Sequence, residues 1–249
     1  MNNNKPLVSI ITPCFNGSKF IESTSSSVLA QTYDNWEWII VDDSSIDDSL
    51  SMLNELSKNN KNIKIYKMDN NSGSAACRNL ALSHASGDYI TFLDIDDLID
   101  SNYIEEQIKI LKHGEKVVVS GYRVIYDNGK TLDYYPPKVI NLKSMLRSDT
   151  MPCLTTMIDK SVIGDSLFAE DLRSVEDYPF MLSIIKKVGH AYSHQTLLAT
   201  YRRNSNSKTN NKLKLIKNFY LVYRKYCKYN PIKSFIYVIR YMLIRVFKY

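Results

Sequence analysis

The 249-residue chain lacks most of the signatures that mark common nucleotide and hydrolase chemistries. Its four cysteines, Cys14, Cys77, Cys153 and Cys227, are scattered, with no C-x-x-C spacing. That excludes a zinc ribbon and a disulfide framework, and points to free thiols in a reducing cytoplasm. No secretory leader pattern opens the chain. The four histidines, His84, His113, His190 and His194, show no metal-ligand spacing and read as surface or capping residues. No run of about 18 uncharged apolar residues is present, so no transmembrane helix of standard form is expected. No G-x-G-x-x-G follows the first apolar run, no G-x-x-x-x-G-K-[ST] occurs, and no nucleophile elbow is found. Dinucleotide binding, P-loop chemistry and Ser/His/Asp hydrolysis all lose their anchors. Eight glycines and seven prolines speak against a low-complexity chain, and 44% hydrophobic residues supply a substantial core.

Acidic residues are missing from one end. All 26 acids and 17 of the 32 bases lie in residues 1–177, for a net −9, whereas residues 178–249 hold 15 bases and no acid, for +15. Such an asymmetry assigns an anionic partner to the end alone.

What is present is a repeating pattern. Leu7 to Thr12, Trp36 to Val41, Ile63 to Met68 and Tyr89 to Leu93 are short β-branched and aromatic runs that read as strands. Between them, residues 18–32, 47–58 and 75–86 read as helices, with Gly87 placed as a C-terminal cap. Strands alternating with helices imply a parallel sheet flanked by helices, with ligands bound outside the carboxyl ends of the strands. The second half is mixed: a hairpin over 116–135 turning at Asp127-Asn128-Gly129, a strand at 155–158, a helix at 179–188 closed by Gly189, and a late strand at 197–202. Residues 212–229 and 231–248 read as two helices split by Pro231. The division expected is a catalytic domain over 1–210, with a nucleotide-binding half (1–98) and an acceptor-side half (99–210), followed by a basic amphipathic tail (211–249).

Three carboxylates, Asp94, Asp96 and Asp97, follow directly on the fourth strand. Like charges this close repel, and burying them is expensive. A divalent cation with oxygen preference, Mg2+ or Mn2+, resolves the cluster, because it bridges one or two carboxylates to substrate phosphates. A solvated loop capping a helix over 101–112 is the alternative, and Asp97 stands open between the two roles.

The ordered motifs then carry a resemblance. Val8-Ser9-Ile10-Ile11-Thr12-Pro13-Cys14-Phe15-Asn16, Ser27 to Tyr33, Trp38 to Ser45, Asn71 to Asn79 and Gly87 to Asp97 resemble, in sequence, five motifs of the family-2 glycosyltransferases, and a weaker match runs to about residue 209. The resemblance implies an inverting nucleotide-sugar transferase with the mixed α/β A-type fold. Carried over, Asp42 binds the base, expected to be uracil, with Asp43 close by. Pro13, Phe15 and Asn16 lie beside the nucleotide, and Phe15 stands where the family often has Tyr. Arg78 sits near the nucleotide, and Asp94 and Asp96 serve metal and diphosphate. Glu176-Asp177 resembles the family's E-D pair, whose Asp is the usual general base, so Asp177 is the expected catalytic residue, with helix capping as its alternative role. Asn204 departs from the pattern, replacing a His in a late Y-R-x-H motif, and leaves Arg202 and Arg203 as candidates for phosphate contact, with partnership to an internal acid as an equal alternative.

The tail has three open readings: a membrane-surface helix pair, a dimer interface or a cap on the core. Ile232, Phe235, Ile236, Ile239, Met242, Leu243 and Val246 share a broad face, with Lys and Arg mostly opposite, which favours an interface on anionic lipid. Nucleic acid is not an expected partner. The resulting expectation is a cytoplasmic, membrane-peripheral enzyme that moves a sugar from a UDP-sugar to a polyprenyl-diphosphate-linked glycan acceptor in O-antigen, capsule or related surface-polysaccharide synthesis. A catalytically silent, nucleotide-sugar-binding or scaffolding relative is the alternative.

Overall fold

The structure is a computed structural model that describes residues 5–148, 150–172, 174–203 and 212–248, with side chains in the last segment described for 213–243. Four strands open the chain: β1 (Val8–Cys14), β2 (Trp36–Asp42), β3 (Ile63–Lys67) and β4 (Tyr89–Phe92). The helices α1 (Ser18–Leu29), α2 (Ser49–Asn59) and α3 (Ser74–His84) connect them. β1 pairs in parallel with β2 and with β4, and β2 pairs in parallel with β3. The register aligns Cys14 with Asp42, so the two strands end at one level. β1, β2 and β4 are buried on both faces because helices cover both, whereas the edge strand β3 exposes Lys64 and Lys67.

After β4 the chain changes direction. A two-residue strand, β5 (Leu98–Ile99), precedes α4 (Tyr103–Leu111). The hairpin of β6 (Val117–Tyr126) and β7 (Thr131–Tyr134) turns at the expected Asp127-Asn128-Gly129, where Gly129 takes φ 78°. β8 (Val139–Asn141) and α5 (Leu142–Met145) follow, then β9 (Thr156–Asp159), α6 (Asp177–Val188) and β10 (His190–Arg203). β9 is antiparallel to both β4 and β6, and so stitches the two halves into one sheet of order β3-β2-β1-β4-β9-β6-β10-β5. Gly87 does not cap α3. Ala85 leaves the helix in an extended conformation, and the Gly87 N–H donates to Ser9 Oγ at 2.9 Å. The strands approach so closely there that a Cβ on Gly87 would meet Ser9 N at 2.6 Å.

The sheet separates two apolar layers. One packs Val8, Ile10, Trp38 and Ile40 against α1, α2 and α4 through Ile21, Leu53 and Ile104. The other packs Ile11, Ile39, Val41 and Phe92 against α3 and α6. The C-terminal helices join this second layer. Leu215 and Phe219 of α7 (Lys212–Leu221) and Val238 and Tyr241 of α8 (Pro231–Lys248) are buried in the same cluster as Tyr178 and Phe180. A π-helical turn over Val222–Tyr226 links the two helices. The opposite side of α8 exposes Ile232, Phe235, Ile236, Ile239 and Leu243. No helix of the described residues is long and apolar enough to cross a membrane.

Candidate active site

The carboxyl ends of β1, β2 and β4 open on a cavity of about 720 Å³. Its wall includes Pro13, Phe15, Asn16, Asp43, Arg78, Asp94, Asp96 and Asp177, drawn from positions up to 164 residues apart. Among the described residues singled out in the sequence, Asp42 and Arg203 are absent from that wall. Asp42 is fully buried, and its Oδ2 accepts from the Ser45 N–H at 3.1 Å while Oδ1 has no hydrogen-bond partner. Successive side chains at a strand end point to opposite faces, and here the cavity side falls to Asp43. The Asp43 carboxylate accepts from the N–H groups of Ser72 at 2.7 Å and Gly73 at 2.8 Å, which ties the β2 end to the start of α3. Gly73 takes φ 93°, a left-handed conformation that glycine adopts without strain.

The rim is pinned by local bonds. Asn16, with φ 50°, donates its N–H to Ser45 Oγ and accepts from the Ile46 N–H at its side-chain oxygen. Asn tolerates this conformation better than most residues. Phe15 is left 48% exposed at the mouth, an aromatic face with no apolar reason to be there. Gly17 packs against the Asp94–Asp97 turn so tightly that a Cβ would meet Ile95 at 2.8 Å.

Asp94, Asp96 and Asp97 all line the cavity, but Asp97 alone of the three is buried. Asp97 is 1% exposed and its Oδ1 accepts the Arg202 N–H at 3.0 Å. Burial, then the Asp96 and Asp94 charges, push its carboxyl well above the usual range. It caps no helix: α4 begins after Asn102, without a side-chain cap. The Arg202 side chain secures the same turn. Its Nε donates to the Asp96 carbonyl, its terminal nitrogens to Ser23 Oγ at 2.9 Å and Thr24 Oγ1 at 3.1 Å, and its plane lies 5.0 Å from the Phe20 ring. Arg203 lies over Tyr126. Asn204 is outside the described residues.

A second arginine joins the two ends of the cavity. Arg78, 5% exposed on α3, donates to Asp94 Oδ1 at 2.5 Å and to Glu176 Oε1 at 3.4 Å. Glu176 also accepts from Ser74 Oγ. Burial opposes the Arg78 charge, but the neighbouring acids, Asp94 foremost, outweigh it and raise its pKa well above the ordinary value. Glu176 was quoted in the sequence only as the neighbour of Asp177. Its role depends on α3 and α6 meeting across 98 residues, which no local pattern encodes. Asp177 follows as the first residue of α6 and faces the cavity, and no side-chain cap bond forms at Glu176 before it.

The donor set is made of carboxylate oxygens alone, which suits Mg2+ or Mn2+ over softer metals. Among the described residues no group of three or more His, Cys, Asp or Glu surrounds one point. Asp94 and Asp96 therefore fit a cation that takes its remaining ligands from phosphate and water, as Mg2+ commonly does. Thiolate chemistry is disfavoured. Burial, then Asp42, pushes the Cys14 thiol up to about 12, and burial raises Cys153 well above its usual value. None of the four histidines lines the cavity.

A parallel β/α half joined to a mixed half, with carboxylates gathered where the strands end, defines the A-type glycosyltransferase class. Two solved structures share it at low identity. Staphylococcus aureus TarS 1–349 in complex with UDP-GlcNAc superposes with a TM-score of 0.76 at 21% identity, over 91% of this chain and 69% of that one. The mannosyltransferase PcManGT of Pyrobaculum calidifontis, in complex with GDP-Man and Mn2+, gives 0.71 at 14% identity, over 96% and 70%. Residues 9–161 match Glycosyl transferase family 2, and the chain belongs to that family. Among its relatives is Bacillus subtilis (strain 168) TuaG, named for a glycosyltransferase role in teichuronic acid biosynthesis, at 36% identity over 90% of each chain. Another is Escherichia coli WfgD, named UDP-Glc:alpha-D-GlcNAc-diphosphoundecaprenol beta-1,3-glucosyltransferase, at 33% identity over 98% of this chain and 95% of that one. The protein is a glycosyltransferase.

Proposed function

We propose that this glycosyltransferase moves a sugar, with inversion, from a UDP-sugar to a polyprenyl-diphosphate-linked glycan acceptor during assembly of a bacterial surface polysaccharide. The observation that carries the reading is that Phe15, Asp43, Asp94, Asp96 and Asp177 share one cavity wall. Residues 1–98 would form its donor half and 99–210 most of its acceptor half, and within 211–249 the exposed side of α8 would meet the membrane. The acceptor class is the one named in WfgD.

The base stacks on the exposed Phe15 ring and meets Asp43, whose carboxylate is oriented by two backbone donors. Asp42, enclosed behind it, supports the turn rather than the ligand. The diphosphate lies between the N-terminus of α3, where Gly73, Ser74 and Ala75 line the cavity, and the Asp94–Asp96 turn. The positive end of the helix dipole favours negative charge at that place. Asp94 and Asp96 would hold Mg2+ or Mn2+, which supplies Lewis-acid stabilisation of the departing diphosphate. Asp177 takes the proton from the acceptor hydroxyl as that oxygen attacks the anomeric carbon from the side opposite the leaving UDP. Arg78 holds Asp94 and Glu176 in register, so that the group serving the leaving phosphate and the segment bearing the base keep a fixed separation.

The test is UDP release with Mn2+ and a panel of UDP-sugars, comparing wild type with Asp96→Ala and Asp177→Asn. Asp96→Ala is expected to lose metal-dependent donor binding. Asp177→Asn is expected to bind the UDP-sugar normally and to lower kcat by about 10²-fold or more. A wild type that neither binds nor turns over any nucleotide sugar would leave the silent-relative reading standing instead.

The enzyme is proposed to work at the inner face of the cytoplasmic membrane. The row of exposed apolar side chains on α8, in a tail without acids, supports this.

A further inference from the structure

Among the described residues, three cationic side chains line the cavity: Arg78, Arg202 and Lys214. Two are committed to the donor end. Arg78 is buried between Asp94 and Glu176, and Arg202 is bonded into the Asp96 turn and α1. Lys214 differs in origin and placement. It stands in the first turn of α7 and lines the cavity together with Leu172, Ser174 and Asp177. The helix that carries it is anchored. Leu215 and Phe219, immediately beyond, are buried in the main core, and Asn218 Nδ2 donates to Ser174 Oγ at 2.6 Å. That bond joins α7 to the segment leading into Glu176 and Asp177, so the helix that carries Lys214 is fixed relative to the candidate base.

This wall is otherwise acidic, through Glu170, Glu176 and Asp177. An anionic acceptor approaching it is repelled unless a cation intervenes. When the accepting sugar is attached directly to a diphosphate, one sugar ring separates the reacting hydroxyl from the phosphates. With the hydroxyl at Asp177, the diphosphate must lie one ring away, on the acceptor wall and not at the donor turn. We propose that Lys214 is the acceptor-diphosphate contact: the C-terminal helix pair, beyond covering the core, completes the active site with a point charge that selects acceptors carrying a lipid-side diphosphate. The inference rests on the acceptor class proposed above.

The experiment compares two acceptors bearing the same sugar, one as an alkyl diphosphate and one as a neutral alkyl glycoside, with wild type, Lys214→Gln and Lys214→Arg in the presence of Mn2+ and a UDP-sugar. Wild type is expected to prefer the diphosphate acceptor. Lys214→Gln should raise KM for that acceptor about tenfold while leaving KM for the UDP-sugar and for the neutral glycoside unchanged. Lys214→Arg, which keeps the charge, should retain most of the preference. A Gln variant with the wild-type preference overturns the role of Lys214 and leaves the acceptor class intact. A wild type active on the neutral glycoside but indifferent to the diphosphate overturns both. A parallel loss with both acceptors assigns Lys214 a merely structural part and also refutes the inference.

Discussion

Replacing Phe235 and Ile239 of α8 by serine tests whether the exposed row is a membrane-contacting surface. The two side chains are 59% and 44% exposed, so part of each is already covered by the protein. Burying a whole Phe or Ile side chain contributes about 1.5–3 kcal/mol. Scaled by the exposed fractions, the pair contributes about 2 kcal/mol to insertion into the headgroup–acyl boundary, which is about thirtyfold in partitioning. Neither side chain belongs to the buried cluster formed with Val238 and Tyr241, so the thermal midpoint should stay within a few degrees of wild type. The assay is sedimentation with vesicles of mixed phosphatidylglycerol and phosphatidylcholine at several salt concentrations. Salt should weaken binding of both proteins through the basic residues, whereas the thirtyfold gap should persist, because apolar insertion is not screened. A variant that partitions like wild type would refute the reasoning, and the row would then have to be covered by something other than lipid.

Two further outcomes are expected. Arg202→Lys keeps the charge but loses the planar fork that reaches the Asp96 carbonyl, Ser23 and Thr24 together; the concentration of Mn2+ giving half-maximal activity should rise about tenfold, and an unchanged titration would show that the turn holds its shape alone. Glu37 is buried at the base of the sheet, where burial alone would raise its pKa, but bonds from Lys64, Ser9 and the Ser86 N–H bring it below the ordinary 4.5. A depressed folded-state pKa gives stability that is complete above the unfolded value and is lost as pH falls through the folded one. Glu37→Gln should therefore flatten the decline in thermal midpoint below about pH 4.5, and an identical decline in both proteins would remove Glu37 from the account.

The first half of the fold was legible because its strands are short, β-branched and closed by polar clusters, and because the rule for ligands at strand ends places Asp43, Asp94 and Asp96 together before any coordinate is known. Less was legible where long-range pairing decides. β5 has two residues and exists only because β10 offers it an edge. The first half of β10 was missed because its register with β6 slips between His194 and Leu197, which breaks the alternation a strand should show. At the site, the order Asp42-Asp43 could not say which carboxylate faces the cavity, since a strand end can turn either way. For Arg202 the sequence left phosphate contact and partnership with an internal acid equally open, and its side chain is bonded into the turn that bears the acids. Glu176 and Lys214 come from segments whose approach to the rim is set by packing of α6 and α7, and a sequence without an alignment holds no local sign of it.

Arg78 is the common neighbour of Asp94 and Glu176, and this has a consequence for binding. A ligand that draws Asp94 toward itself releases part of the guanidinium's attraction to Glu176, and so alters the field felt by the adjacent Asp177. With Asp177 as the proposed base, donor occupancy and the readiness of that base would be thermodynamically linked, and the linkage would be reciprocal. In the mechanism proposed above, a bound nucleotide sugar would then change the affinity for the acceptor, and a bound acceptor would change the affinity for the nucleotide sugar by the same factor.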